Sequence, residues 1–475
     1  MKNYPLFIAG QSVTTSKKEA VICKATGKPF ATISIAGSQE VTAAVDAAQK
    51  AFDTVKLSPY QRYEIIMKAA KLMIKKQKAF AENLSKEVGK PIKDAMGEVA
   101  RAYQTLILSA EEAKRLVGQV IPIQGAPGCE KRMAYTIRQP LGVVAAITPF
   151  NFPINLACHK IGPALAAGNT VVYKPATATP ITGAMLCKVF DQAGLPAGCL
   201  NLIMGSGSVV GDLLTSDERI KMFSFTGSVP VGKSLQKKAG FRRCALELGS
   251  NSANIVHKDA KDIAKIAQMC AKYAYTNAGQ VCISCQRVYV HQDVYKAFCQ
   301  AVVKYSKNLK VGDPLDATTD IGPMISEKEA IRIEEWIKAA VDGGAKILCG
   351  GKRNGVFFEP TALTDTTHMM NVICRETFAP VFSIVPYKNI EEAIQAVNDT
   401  TYGLQAGVFT QDLNIAQLCA EQIQTGGVII NDGATFRMDN MPYGGVKDSG
   451  IGREGPEYAI KELTEEKLVV INYGL

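Results

Sequence analysis

Residues 141–147 read Leu-Gly-Val-Val-Ala-Ala-Ile, and the proline-bounded run Thr-Pro-Phe-Asn-Phe-Pro follows at 148–153. A short, continuous apolar run of this kind predicts a strand buried on both faces, as in a parallel sheet. Four similar runs follow, at 170–173, 200–204, 222–225 and 244–246. Between the first two of these lies a helical pattern with Thr179 as its cap, Pro180 in its first turn and Gly194 at its end. The alternation predicts a doubly wound domain that binds dinucleotides.

A second α/β domain is predicted from residue 249 to about residue 432, because strands and helices continue to alternate. The predicted helices are 262–276, 293–307 and 326–343, and the predicted strands are 287–291, 345–349 and 404–409. The first 120 residues predict a short strand pair and then three long amphipathic helices. Ser38 is expected to cap the first helix, and the other two follow Ser58-Pro59 and Pro91.

Composition limits the class of protein. A chain of 475 residues is too long for one hydrophobic core and predicts two or three domains. The net charge of +10 suits anionic ligands. The basic residues are spread along helices such as 71–78, where a solvated face explains them, and no segment resembles a nucleic-acid-binding module. We therefore expect no nucleic-acid partner.

The expected compartment is the cytoplasm. The most apolar stretch, 141–157, is interrupted by two prolines and two asparagines, and no run approaches the roughly 18 apolar residues of a membrane span. The apolar run at the N-terminus is too short for a signal peptide. Thirteen scattered cysteines, an odd number, fit a reducing compartment better than a disulfide framework.

The chemistry is indicated by Asn-Ala-Gly-Gln-Val-Cys-Ile-Ser at 277–284 and by Leu-Glu-Leu-Gly at 246–249. The thiol of Cys282 and the carboxyl of Glu247 are the two groups needed to trap a carbonyl carbon as a thioester and then hydrolyse it. The pair predicts covalent oxidation of an aldehyde. A metal site at Cys282 and Cys285 is not expected, because no second pair of ligands follows. A resting disulfide between these two cysteines stays an open alternative.

Three more motifs extend the pattern: 148–153, Phe-Thr-Gly-Ser at 225–228 and Glu-Thr-Phe-Ala-Pro at 376–380. Their order and spacing resemble the aldehyde dehydrogenase superfamily, and the likeness covers nearly the whole chain. The resemblance implies an α/β fold with two doubly wound, Rossmann-like domains and a small bridging β-sheet. It assigns 1–119 and 139–248 to the dinucleotide-binding domain, 249–445 to the catalytic domain, and 120–138 and 446–475 to bridging segments of a homodimer or homotetramer. The strand candidates 133–137 and 468–472 lie in those segments.

In this scheme Cys282 attacks the aldehyde, while the side chain of Asn151 and the backbone N–H of Cys282 stabilise the oxyanion. Glu247, at the end of an apolar strand, is expected to have a raised pKa and to activate the hydrolytic water. The motif departs from the usual Glu-Leu-Gly-Gly at Ser250. Relatives that pass the acyl group to coenzyme A generally lack the carboxyl, so Glu247 favours a free acid. Acylation of coenzyme A and a non-catalytic protein on the same scaffold are the alternatives.

The resemblance also implies a nicotinamide dinucleotide site. Lys174 would contact the adenosine ribose, Glu376 would hold the nicotinamide ribose, and Phe378 would lie beside it. Thr177 occupies the position where NAD-specific relatives commonly carry a glutamate, so NADP is expected to be accepted, alongside NAD. The complete predicted set is Thr148, Pro149, Phe150, Lys174, Thr177, Gly207, Phe225, Gly227, Ser228, Leu248, Glu376 and Phe378.

For the substrate, Arg101, His159 and Arg437 are predicted to converge on an anionic tail. Their contexts resemble the branch that includes lactaldehyde, phosphonoacetaldehyde, sulfo-aldehyde and non-phosphorylating glyceraldehyde-3-phosphate dehydrogenases. Val281 stands where some anion-selective relatives have an arginine, so neutral lactaldehyde is the alternative substrate. Alternatively, the two arginines form ion pairs and His159 is a satisfied helix histidine. The prediction is a short, anionic or hydroxylated aldehyde.

Overall fold

The computed structural model describes residues 1–474. Within that range the α-helices are α1 (Ser38–Thr54), α2 (Pro59–Lys75), α3 (Gln77–Glu87), α4 (Ile92–Ala113), α5 (Asn155–Ala167), α6 (Pro180–Ala193), α7 (Asp212–Ser216), α8 (Val229–Ala239), α9 (Ile263–Tyr275), α10 (Gln292–Ser306), α11 (Glu327–Asp342), α12 (Asn371–Cys374), α13 (Ile390–Asn398), α14 (Leu413–Gln422) and α15 (Pro456–Glu462). Among residues 1–474, no helix combines the length and the apolarity that crossing a membrane requires.

The strands are β1 (Lys2–Tyr4), β2 (Leu6–Ile8), β3 (Gln11–Val13), β4 (Lys18–Ile22), β5 (Pro29–Ser34), β6 (Val120–Ile121), β7 (Arg132–Pro140), β8 (Val143–Ile147), β9 (Thr170–Lys174), β10 (Leu200–Leu202), β11 (Ile220–Thr226), β12 (Arg243–Glu247), β13 (Ala253–Val256), β14 (Arg287–His291), β15 (Lys346–Cys349), β16 (Arg353–Asn354), β17 (Phe357–Phe358), β18 (Thr361–Thr364), β19 (Val381–Tyr387), β20 (Gln405–Phe409), β21 (Gly427–Ile430), β22 (Gly450–Ile451) and β23 (Thr464–Asn472).

The first large sheet has the order β22-β12-β11-β8-β9-β10-β2-β3. Its five central strands, β12 to β10, are parallel, and β8 is buried along its whole length. The chain leaves β8 toward β9 on one side and returns to β11 on the other, so the switch point lies between β8 and β11. Ligands of doubly wound sheets bind at the carboxyl ends of the strands beside such a point. Residues 148–153 and 225–228 follow or end these two strands.

The second large sheet has the order β15-β18-β19-β14-β13-β20-β21 and is parallel except for the antiparallel edge strand β15. Each large sheet has its own apolar core, made of aliphatic and aromatic side chains from the sheet and its helices. This confirms the predicted pair of α/β domains.

The predicted small sheet is also present. β23 pairs with β7 in antiparallel register from Thr464 opposite Pro140 to Asn472 opposite Arg132, and β6 adds to the other edge of β7. The strand candidates 133–137 and 468–472 are therefore paired with each other. Met133 and Leu468 on these strands are about half exposed.

Three local predictions in the first 120 residues were wrong or incomplete. The chain forms five short strands before α1, not one pair, and then four helices, with only Lys76 between α2 and α3. No glycine or proline marks that break, so the helical pattern runs on in the sequence. Gly37, not Ser38, is the cap of α1, and its N–H donates to the carboxylate of Glu40 at 2.7 Å.

One buried ion pair ties α4 to the loop that follows β8. Lys90 and Glu98 are almost fully buried and bond to each other. The ammonium group of Lys90 also donates to the carbonyl oxygen of Asn151 at 2.9 Å. Glu98 accepts the N–H groups of Ile154 and Asn155 at 3.1 and 3.3 Å, at the N-terminus of α5. The pair therefore fixes both ends of the segment that carries Asn151.

We predict that Lys90→Met lowers the free energy of unfolding by about 3–5 kcal/mol, because it leaves the Glu98 carboxylate buried without a cation. The double variant Lys90→Met, Glu98→Gln should recover part of this loss, since it removes the uncompensated charge. Denaturant unfolding of both variants measures the difference. Equal destabilisation in the single and double variants would show that charge compensation is not the cause.

Candidate active site

A cavity of about 790 Å³ lies at the switch point and reaches from β8 and β11 to α11 of the second domain. Every residue predicted to contact the dinucleotide lines this cavity, and so do Asn151 and Cys282. α11 adds Glu329, Arg332 and Trp336, with the Arg332 guanidinium 4.5 Å from the centre of the Trp336 ring. The cavity has the size and the mixed polar and apolar lining of a cofactor site, and its lining fits a nicotinamide dinucleotide.

At the adenosine end of the expected site, burial lowers the pKa of Lys174 to about 8. Its ammonium group bonds only to the carbonyl oxygen of Pro175, at 3.3 Å, within residues 1–474. An ammonium group has three N–H donors, and one protein acceptor uses only one of them. The other two are left for a ribose or phosphate. The hydroxyl of Thr177 donates to the carbonyl oxygen of Gly205 at 3.2 Å, so this position carries no negative charge.

At the other end, Glu376 accepts the N–H of Ser250 at 3.1 Å, and burial raises the pKa of this carboxyl to about 7. A Cβ atom on Gly249 would lie only 2.3 Å from a carboxylate oxygen of Glu376. A larger residue at 249 would have to displace the Glu376 carboxylate from this position. Ser250, the departure from the usual motif, bonds through its hydroxyl to Ser252 at 3.2 Å and fits without conflict.

The segment before the nucleophile has an unusual backbone. Asn277 and Ala278 have φ angles of 53° and 54°, in the left-handed region that few residues other than glycine adopt. At Gly279, φ is 69°, and a Cβ atom there would lie 1.8 Å from the carbonyl oxygen of Ala379. This tight turn ends α9 and delivers Cys282 to the cavity wall before β14 begins.

Cys282 is partly exposed to the cavity, and its sulfur lies 2.9 Å from the hydroxyl oxygen of Tyr443. Burial raises the pKa of this thiol to about 11, while the Tyr443 hydroxyl and the charge of Arg437 act in the opposite direction. Cys282 and Cys285 are both free thiols in this structure. The Cys285 sulfur accepts a hydrogen bond from Asn254 at 2.8 Å instead.

Asn151 connects the two domains. Its side-chain amide donates to the carbonyl oxygen of Gln280 at 3.0 Å, and the amide of Asn277 donates to the backbone carbonyl of Asn151 at 3.3 Å. One hydrogen of an amide group satisfies the bond to Gln280, so the second is available to an oxyanion. The side-chain oxygen of Asn151 accepts the N–H of Phe152, which fixes the orientation of the amide.

Glu247 ends β12, as predicted, and is buried with one carboxylate oxygen that has no hydrogen-bond partner within residues 1–474. Burial, and then the negative charge of Glu454, raise its pKa well above the ordinary range. Glu454 forms an ion pair with Lys160 at 2.9 Å. Despite burial, the charges of Lys160 and Arg437 hold the pKa of Glu454 well below its usual range. The surroundings thus shift the pKa values of the two carboxyls in opposite directions.

The three residues predicted to bind a substrate anion lie in one cluster. Arg101 pairs with Asp439 through two nitrogens at 2.7 and 3.2 Å, and His159 bonds to the same carboxylate at 2.9 Å. Arg437 pairs with Glu454 at 2.9 Å and stacks on Tyr443, with 3.6 Å from the guanidinium to the ring centre. Burial and the Arg437 charge lower the pKa of His159, so it is neutral at pH 7. The cluster does not form part of the wall of the large cavity.

Several residues of this site carry no signal in the sequence. Tyr443, Glu454 and Asp439 come from the last forty residues of the chain, far in sequence from Cys282 and Glu247. Lys160 reads as an ordinary helix lysine. Arg332 and Trp336 could have been suspected only from their place on a helix that faces the switch point, which is a feature of the tertiary structure.

Comparison with known proteins is consistent with this geometry. The family model described as "Aldehyde dehydrogenase family" matches residues 11–469, and the chain belongs to that family. It is an NAD(P)-dependent aldehyde dehydrogenase. The chain is 52% identical over 472 residues to 3-sulfolactaldehyde dehydrogenase of Priestia megaterium. The match covers 99% of this chain and 98% of the relative.

Two further proteins are similar to this chain. Lactaldehyde dehydrogenase of Methanococcus maripaludis is 45% identical over 440 residues, covering 91% of this chain and 93% of the relative. The crystal structure of a glyceraldehyde-3-phosphate dehydrogenase from Methanocaldococcus jannaschii complexed with NADP superimposes with a TM-score of 0.92 at 41% identity. That match covers 96% of this chain and 100% of the other.

We predict that Glu247→Gln gives a burst of about one reduced cofactor per active site and then turns over slowly, because thioester hydrolysis loses its base. In the wild type, hydrolysis should slow as the pH falls through the raised pKa of Glu247, since only the deprotonated carboxyl accepts a proton. Stopped-flow measurement of cofactor reduction across pH separates the burst from turnover. Cys282→Ser is the control and should give neither. Full steady-state turnover by Glu247→Gln would remove this residue from the mechanism.

Proposed function

We propose that this chain oxidises a short aldehyde bearing a hydroxyl or a small anionic group to its free carboxylic acid. The observation that carries the proposal is the charge of the cluster beside Cys282. Three cations, Arg101, Lys160 and Arg437, form ion pairs with only two carboxylates, Asp439 and Glu454. Burial raises the pKa of Glu247, the third carboxyl near these cations, and while it is protonated one positive charge is left over. Arg437 reaches Cys282 through Tyr443. A bound anion would balance that charge.

The residues divide the reaction between them. Cys282, as thiolate, forms a bond to the aldehyde carbon, and the free amide hydrogen of Asn151 and the N–H of Cys282 stabilise the oxyanion. The residues that line the large cavity would hold a nicotinamide dinucleotide, which would supply the hydride acceptor. Loss of hydride from the tetrahedral adduct leaves a thioester on Cys282. Glu247 takes a proton from the water that attacks this thioester, and the sulfur leaves as thiolate. Aldehyde, water and oxidised cofactor thus become acid, reduced cofactor and the proton that Glu247 accepts.

The relatives support the substrate class. Their names specify 3-sulfolactaldehyde, lactaldehyde and glyceraldehyde 3-phosphate. All three aldehydes carry a hydroxyl on the carbon next to the carbonyl, and two of them carry an anionic group as well. The second candidate is a neutral, lactaldehyde-type substrate. It is favoured by the lactaldehyde relative and by Val281, which places no cation directly before the nucleophile.

The proposed assembly is a homodimer or homotetramer that joins through the small sheet. β23 has one free edge, and Ile137, Leu468, Val470 and Ile471 expose apolar side chains on this sheet. Exposed strand edges and apolar patches of this kind are usually covered by a partner.

The proposed limits are 1–119 with 139–248 for the dinucleotide-binding domain, 249–445 for the catalytic domain, and 120–138 with 446–475 for the bridging segments. The thirteen free cysteines support a reducing compartment, for which we propose the cytoplasm.

A screen of cofactor reduction tests the function. We expect turnover of lactaldehyde, 3-sulfolactaldehyde or glyceraldehyde 3-phosphate with NADP as well as NAD, and no dependence on coenzyme A. Thr177→Glu should reduce kcat/KM for NADP by roughly tenfold or more while NAD changes little, because the new carboxylate repels the 2′-phosphate. Thr177→Gln, of the same shape but neutral, is the matched control. Activity that requires coenzyme A would contradict the proposal, and absence of NADP turnover would contradict the role of Thr177.

We predict that Arg101→Ala raises KM for glyceraldehyde 3-phosphate roughly tenfold or more but changes KM for glyceraldehyde by less than about twofold, as loss of a charge-assisted contact requires. Steady-state kinetics on this pair isolates the phosphate, since the carbon skeleton is the same. Arg115→Ala is the control, because Arg115 lies just after α4 and is paired with Glu111 and Glu112. Equal effects on both substrates would reject the anion site.

A further inference from the structure

The hydroxyl of Tyr443 needs an explanation that packing does not provide. Tyr443 is 3% exposed, and its oxygen contacts the sulfur of Cys282 at 2.9 Å. Within residues 1–474 this is the only hydrogen bond of that hydroxyl. A phenylalanine would fill the same space without burying a polar group, and buried hydroxyls are costly unless they are paired. The hydroxyl is therefore positioned for the reacting centre.

Tyr443 is held firmly at this position. The Arg437 guanidinium lies 3.6 Å from the centre of its ring, and the ring packs in an apolar cluster with Val281, Ile283 and Leu404. Its backbone pairs with Glu454 in both directions, since each N–H donates to the other residue's carbonyl oxygen at 3.0 and 2.6 Å. The Tyr443 hydroxyl can move little, so any group that it bonds during the reaction must lie within reach of its present position.

The sulfur changes as an acceptor when the substrate arrives. A thiolate accepts a hydrogen bond well, but after the carbon–sulfur bond has formed the neutral sulfur is a weak acceptor, like that of methionine. Tyr443 then loses its partner in a buried site. Asn151 and the N–H of Cys282 already serve the former carbonyl oxygen. The next oxygen within reach is a hydroxyl on the neighbouring carbon, two bonds from the carbon that Cys282 attacks.

We infer that Tyr443 selects aldehydes that carry a hydroxyl on the carbon beside the carbonyl, by passing its hydrogen bond from the Cys282 sulfur to that hydroxyl. This inference rests on the proposed function and adds the residue that recognises the hydroxyl of the substrate. An aldehyde without the hydroxyl leaves Tyr443 with only the weak sulfur acceptor in the covalent intermediate. Arg437 and Arg101 would bind the anionic end of the aldehyde, and Tyr443 would bind the hydroxyl next to the reacting carbon.

The test compares kcat/KM for lactaldehyde and propionaldehyde, which differ only by this hydroxyl. The wild type should prefer lactaldehyde by roughly tenfold or more, the effect of one hydrogen bond in a buried site. Tyr443→Phe should bring the ratio close to one. Any effect of the Tyr443 hydroxyl on the reactivity of the Cys282 thiol is common to both substrates and cancels in the ratio of their kcat/KM values. Tyr387→Phe is the matched control, since this buried tyrosine bonds to His257 at 2.8 Å, and it should keep the wild-type ratio.

The outcomes separate the two proposals. A wild type that oxidises lactaldehyde and propionaldehyde equally well overturns the selection by Tyr443 without any variant, and leaves the proposed aldehyde oxidation intact. An unchanged preference in Tyr443→Phe overturns it as well, and so does an equal loss of preference in Tyr387→Phe. A wild type that oxidises none of the hydroxylated or anionic aldehydes overturns both the proposed function and this inference.

Discussion

The buried hydrogen bonds of Asn151 are the constraint on which the rest of the site depends. Asn151 follows β8 of one domain, while Gln280 and Asn277 belong to the loop that carries Cys282 in the other. These bonds, with Lys90 donating to the carbonyl of Asn151, fix the nucleophile and the oxyanion donor relative to each other. A small shift between the domains would separate the two groups, and catalytic groups that are not preorganised lose most of their effect.

Buried charge is arranged in a similar way throughout the site. Lys90 is paired with Glu98, Lys160 and Arg437 with Glu454, and Arg101 with Asp439. Glu247 and Glu376 form no ion pair in the described chain. Glu376 still accepts the N–H of Ser250, whereas a carboxylate oxygen of Glu247 has no hydrogen-bond partner there. Paired carboxyls stay ionised in a buried site, whereas an unpaired one has a raised pKa and can act as a base near neutral pH. The difference in pairing thus separates the structural carboxyls from the candidate base.

The fold explains why one cavity can serve both cofactor and thiol. Parallel strands bring their carboxyl ends to one edge, and the switch between β8 and β11 opens a crevice there. Glycine at 249 and 279 then lets Glu376 and the chain around Ala379 approach more closely than any side chain would permit. The left-handed turn at 277–279 costs conformational energy, and the packing of the second domain maintains it.

Much of this protein follows from its sequence. Apolar runs such as 141–147 predict buried parallel strands, and Cys282, Glu247 and Asn151 are found beside the switch point and nucleophile loop as their motifs indicate, because these signals are local in the chain. The break before α3 was missed, since one residue of non-helical backbone leaves no pattern. The partners of the site, Tyr443, Glu454, Lys160 and Asp439, could not be predicted either. Contacts between side chains that are far apart in sequence depend on how whole domains pack. Only the tertiary structure determined that the hydroxyl of Tyr443 meets the sulfur of Cys282 and that Arg101, Lys160 and Arg437 lie against Asp439 and Glu454.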